Sequence, residues 1–243
     1  MTQALPRPVA TVIVAALLAS AAAGWYLTYL QSMSMDTVGG MAMLGAGLFM
    51  ATWVVMMVAM MFPSVAPMVL AHASAVRSRG EGAVPTVAFV AGYLAAWTAA
   101  GLVPLAIIQV QSATMVIPSG WLPRLGGALV LATGVYQLSP LKDVCLTACR
   151  SPLGFILTHD FGGGSPGAAR AGLVHGLYCL GCCWALMAVL ALFGLMNLAL
   201  MAVFAVIFFA EKIWRHGVMI SRVVGVACVI AGGALLAFPG LTP

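Results

Sequence analysis

Apolar residues in this chain run in blocks of roughly 20, the length an α-helix needs to cross about 30 Å of hydrocarbon. Of the 243 residues, 63% are hydrophobic and 6% charged, whereas a soluble domain carries about a quarter charged residues. These numbers predict an all-α, polytopic transmembrane helix bundle with no soluble domain left over, one integral membrane domain over residues 1–243. Seven spans are read, at 8–30, 40–62, 85–109, 121–139, 168–195, 198–210 and 218–238. The sixth is short and its turn from the fifth is tight, so six spans with a re-entrant piece is the alternative.

Charge placement orients the bundle. With the N-terminus inside, the inner loops and ends hold Arg7, Arg77, Arg79, Lys142, Arg150, Arg170, Lys212, Arg215 and Arg222, and the outer side keeps Arg124. That asymmetry is the positive-inside bias, and it puts the C-terminus outside. The net charge of +5 is thus a topology signal, and no nucleic-acid partner is implied. The first span follows Arg7 and passes Ala21-Ala22-Ala23-Gly24, which resembles a signal-peptide cleavage site. Its apolar run is too long for a signal peptide and ends in Trp25, Tyr26 and Tyr29, an aromatic belt, so a retained helix is expected. Glycines such as Gly92, Gly172, Gly176, Gly225 and Gly232 let helices approach closely.

Three groups of soft side chains stand out. His175-Gly-Leu-Tyr-Cys179-Leu-Gly-Cys182-Cys183-Trp184 lies inside the fifth apolar block. At 100° per residue, with His175 as zero, Cys179 lies at about 40°, Cys182 at about −20° and Cys183 at about 80°. The four share one face, while Trp184 points the other way. His175 and Cys183 are separated by about 12 Å of rise, so one ion cannot take all four, and further ligands must come from another element. Cys145 and Cys149 form a second pair in the inner loop 140–167, whose first part, 141–150, is expected to be a short helix against the membrane surface. A reducing compartment leaves these thiols free, and Lys142 and Arg150 nearby would favour the thiolate. Lone cysteines such as Cys228 read as packing.

Methionine is the third group. Ten of 16 lie between Met33 and Met68. Met56/Met60 and Met57/Met61 are i,i+4 pairs just before Pro63, and Met33 and Met35 sit in the outer loop beside Asp36. Thioethers favour Cu(I), although Met also fills apolar cores. Pro63 should break or kink the second helix, freeing carbonyls for Ser64 or another group; the apolar segment 65–76 beyond it carries His72, and its continuation as helix is the alternative. Glu211, followed by Lys212 at the inner end of the sixth span, reads as an interfacial ion pair, with a proton or metal role as the alternative. No nucleotide-binding glycine motif, mid-helix Schiff-base lysine, H-E-x-x-H or intramembrane carboxylate pair is present, so no enzymatic reaction is assigned.

At these residues the chain resembles a bacterial family of predicted metal-binding integral membrane proteins. The resemblance rests on Met56-Met57-Val-Ala-Met60-Met61-Phe-Pro63-Ser64, on Tyr136-Gln137-Leu-Ser-Pro140-Leu-Lys142 with Cys145-Leu-x-x-Cys149-Arg150, and on the His175–Trp184 block. It implies that Met, Cys and His form one metal system, and it supplies no reaction. The expected function is binding of a soft metal, copper as Cu(I), and its transport or delivery across the bacterial inner membrane. Met33/Met35 would capture the ion, the Met56–Met61 ladder would pass it on, and His175, Cys179, Cys182 and Cys183 would hold it near mid-membrane. Cys145/Cys149 would receive it at the inner face. The expected partners are the lipid bilayer and a metallochaperone or other membrane subunits. The alternatives are a non-transporting subunit or assembly factor of a membrane enzyme complex, a membrane thiol-redox protein, and sulfur used for packing alone.

Overall fold

The computed structural model describes residues 5–34, 45–114, 122–159, 163–193 and 197–238. Every regular element among them is helical: α1 (Arg7–Ser34), α2 (Ala46–Ser78), α3 (Val84–Thr114), α4 (Leu122–Gln137), α5 (Pro140–Arg150), α6 (Pro152–Thr158), α7 (Gly164–Phe193), α8 (Leu198–Ile213) and α9 (Gly217–Ala237). The all-α expectation holds. Five helices, α1, α2, α3, α7 and α9, are long and apolar enough to cross a membrane. Helices α4 and α8, read from the sequence as crossings, have 16 residues each, a rise of about 24 Å against the roughly 30 Å of a hydrocarbon core. The exterior is apolar, with Val12, Val103, Ile107, Val206 and Ile230 largely exposed, a surface compatible with lipid contact.

Pro63 does not end α2. The helix runs 33 residues through both Pro63 and Pro67, and the Ser64 hydroxyl donates to the Met61 carbonyl at 2.9 Å. The carbonyls that Pro63 and Pro67 leave without an amide are those four residues back, of Ala59 and Pro63, so the Ser64 bond does not replace them; α2 is continuous and packed against α1, α3 and α8. All four ladder methionines, Met56, Met57, Met60 and Met61, are buried in the core.

Segment 141–150 is helical, as expected, with Leu141 and Val144 exposed on one face and the other face turned into the bundle. Ser139 caps α5 by accepting from the Lys142 amide at 3.3 Å, with Pro140 in the first turn. The helix then packs against α7 and α8, and Lys142 and Leu146 are fully buried. Met33, at the end of α1, is exposed; Met35 and Asp36 lie outside the described residues.

Two seams hold the bundle, α3 on α7 and α4 on α9. On the first, a Cβ at Gly92 would strike the Ala169 carbonyl, and one at Gly172 would strike the Phe89 carbonyl. The backbones touch there because neither residue has a side chain. Gly172→Val should therefore part α3 from α7 and cost about 1–3 kcal/mol or more. Gly233→Val, where a Cβ meets nothing within 4 Å, should be silent. Thermal denaturation of the detergent-solubilised variants checks the pair.

Candidate metal centre

Cys179 and Cys182 sit three residues apart on α7, so helical geometry puts their sulfurs on one face. Both are buried, and Cys149 at the far end of α5 comes in half-buried to meet them. The Cys149 and Cys182 sulfurs are 3.9 Å apart, and all three Sγ atoms lie within 4.8 Å of one another. An ion held at three sulfurs by bonds of about 2.3 Å has sulfurs about 4 Å apart. The triad has that spacing. Three thiolates with no carboxylate or imidazole among them form a soft donor set suited to Cu(I).

What brings α5 into the bundle is a buried ion pair. Lys142 Nζ donates to Glu211 Oε2 at 2.8 Å, with 0% and 1% of the two side chains exposed. Gln137 Nε2 donates to the other carboxylate oxygen at 3.0 Å. Lys142 also donates to the Cys182 carbonyl, which ties α5 directly to the metal-ligand face of α7. Arg150, one residue after Cys149, donates to the carbonyls of Glu211 and Arg215. Gly181 makes room, since a Cβ there would come within 2.6 Å of Cys145 Sγ.

Cys145 itself is half-buried against α7. Burial, and then the Cys182 sulfur, push its thiol above the ordinary range, and Lys142 only partly offsets them. The expectation that Lys142 and Arg150 activate this pair fails for a physical reason. Lys142 is engaged by Glu211 and Arg150 by backbone carbonyls.

The cation at the sulfurs is Lys212. Its Nζ donates to Cys179 Sγ at 3.0 Å and to Met61 Sδ at 3.5 Å, and lies 5.9 Å from the centre of the Phe208 ring. The Tyr93 hydroxyl is 3.1 Å from the same Cys179 sulfur. An ammonium and a phenol converging on one sulfur is the environment of a thiolate. The reading of Glu211 and Lys212 as partners is overturned: Glu211 turns to Lys142, Lys212 to sulfur. Tyr93 was not singled out from the sequence; Gln137 and Lys142 stood in the motif that carries the family resemblance, without a role as partners of Glu211.

The structure thus joins two stations expected to be separate, because Cys149 meets Cys179 and Cys182 in one cluster. Cys183 donates to the Cys179 carbonyl at 2.9 Å and lies beside that cluster. His175 shares the face but sits among rings, with centroids 5.0 Å from Phe155, 5.9 Å from Tyr93 and 6.1 Å from Phe89; its Nδ1 is buried without a hydrogen-bond partner. Met61 joins the thiols through Lys212, while Met56, Met57 and Met60 line the core of α2.

The family described as PpoB2, a copper chaperone, matches residues 50–235. The chain belongs to that family. The match takes in the methionine ladder, both cysteine groups and Lys212. No curated protein matches, and no solved structure does.

Removing one member of the buried pair strands the other in an apolar interior. Glu211→Ala should cost about 3–5 kcal/mol and release α5. The double variant Glu211→Ala/Lys142→Ala should lose less than the sum of the single changes. Unfolding midpoints of the four proteins measure the coupling.

Proposed function

We propose that this protein binds one Cu(I) on Cys149, Cys179 and Cys182 and delivers it, as cargo, to a partner protein. The observation that carries the reading is the convergence of three sulfurs from two helices within 4.8 Å, in a chain of the copper chaperone family. We propose further that it is a single integral domain of a bacterial inner membrane. In that reading α4 and α8 cross with the five long helices to make seven spans, N-terminus inside and C-terminus outside. Burial of Lys142 and Lys212 leaves seven basic groups for the inner ends against Arg124 outside, so the charge bias still supports this orientation.

The chemistry follows from the donors. Thiolates and thioethers bind Cu(I) through few, soft bonds, and ligand exchange between such sets needs no fully saturated intermediate. Met61 stands next to the thiol cluster on the side of the buried methionine ladder, which makes the ladder the route of entry from Met33 and Met35. Cys145, half-buried and one helical turn before Cys149, is the next sulfur toward the exposed face of α5. Transport across the membrane, in this reading, draws on the full set His175, Cys179, Cys182, Cys183, Cys145, Cys149, Met56, Met57, Met60 and Met61 as successive soft ligands.

Titration of Cu(I) against a colorimetric chelator, on detergent-purified protein kept reduced, tests the site. Wild type should bind one equivalent; Cys149→Ser, Cys179→Ser and Cys182→Ser should each weaken binding at least tenfold, as loss of one of three ligands requires. Cys228→Ser should bind as wild type. Full binding by Cys149→Ser would remove α5 from the site. Copper uptake into proteoliposomes then separates a carrier from a chaperone that loads and unloads at one face.

A further inference from the structure

Among the described residues, three charged side chains are buried: Lys142, Glu211 and Lys212. The first two neutralise one another at 2.8 Å. Lys212 is left over, and its hydrogen-bond acceptors are both sulfur, Cys179 Sγ and Met61 Sδ. A buried ammonium requires an anion beside it, and here that anion is a ligand of the proposed copper site. Resting on the copper reading, we infer that Lys212 is the resident counter-charge of the thiolate centre and the residue that fits it to a monovalent metal ion.

The argument is one of charge. Three thiolates carry three negative charges, so a Cu(I) complex of Cys149, Cys179 and Cys182 retains two, and a divalent complex of the same ligands retains one. Unpaired charge is expensive where water is excluded. Lys212, hydrogen-bonded to one of the three sulfurs, offsets one unit in either case. That offset matters more for the monovalent complex, which otherwise holds twice the uncompensated charge. The ammonium is attracted to the net charge of the complex, two units for Cu(I) and one for a divalent ion, and so favours Cu(I) over a divalent thiophile. No bond to the metal is assigned to Lys212. It acts through the sulfur it touches, as a positioning residue, and its flexible stem lets the ammonium follow the sulfur as the ion comes and goes.

The reading is distinct from a structural role. A lysine that only filled space would affect every ion alike. A neutral side chain at 212 should lower Cu(I) affinity by about 10–100-fold, the usual effect of losing a hydrogen-bonding partner of a metal ligand, and should lower Cd(II) affinity less.

The experiment uses the full chain in detergent, with Cu(I) and Cd(II) affinities measured by chelator competition on wild type, Lys212→Met, Lys212→Gln and Lys212→Arg. The Cu(I)-to-Cd(II) affinity ratio should fall about tenfold or more in Lys212→Met and Lys212→Gln, and stay near wild type in Lys212→Arg. Lys212→Gln keeps N–H donors and bulk, so it decides the matter if Lys212→Met does not fold. An unchanged ratio in the neutral variant, or an equal loss for both ions, overturns the inference while leaving copper binding intact. Failure of wild type to bind Cu(I) would instead remove the copper reading beneath it.

Discussion

A carboxylate and an ammonium placed out of reach of water have one stable arrangement, against one another with their remaining hydrogen-bonding capacity filled. Glu211 and Lys142 are so placed, and the rest of the site follows. Glu211 stands near the end of α8, Lys142 in the first turn of α5, and Gln137 at the end of α4 supplies the second carboxylate oxygen with a donor. The pair therefore fixes where three helices meet. Since α5 is a single rod of 11 residues, fixing its first turn against α8 and the Cys182 carbonyl also fixes Cys149 seven residues on. Arg150 pins the other end to the Glu211 carbonyl. A helix that composition alone would leave at the surface becomes the third wall of the sulfur cluster.

Exclusion of water serves the sulfur chemistry as well. Thiols remote from solvent are protected from oxidation. The triad also mixes one ligand on a short, docked helix with two on a long one. Cys179 and Cys182 belong to α7, locked against α3 by backbone contact at Gly92 and Gly172. Cys149 belongs to α5, held by polar contacts at its two ends. Two of the three sulfurs thus come from one helix, and the third depends on the docking of another. That division suits a protein of a chaperone family, which must hold copper and also let it go.

How much of this the sequence disclosed depends on range. The one-face grouping of His175, Cys179, Cys182 and Cys183 follows from 3.6-residue periodicity alone, and all four are indeed buried on α7. The burial of the methionines before Pro63 was equally readable. The docking of α5 was not, because Lys142 and Arg150 look like inner-loop charges until their partner, some 70 residues further along, is known. The pairing of Glu211 with Lys212 was misread for a local reason. Neighbours on a helix point about 100° apart, so consecutive residues seldom share a partner or a face. Helical geometry already argued that the two would serve different neighbours. At Pro63 the break does not occur, and the apolar segment 65–76 runs on as part of α2, the continuation its pattern allowed.

The same divergence explains why opposite charges sit side by side in an otherwise apolar helix. A lone lysine at the end of α8 would bring an uncompensated charge into the bundle. Preceded by Glu211, it belongs to two adjacent opposite charges, each of which meets its own partner in the bundle. Glu211 takes Lys142 and so recruits α5; Lys212 takes the Cys179 sulfur. Assembly of the sulfur site and provision of its counter-charge are then two consequences of one turn of helix. Neither can be completed until α5 and α7 are both in place, so a soft-metal site with charge balance arises only in the fully packed bundle.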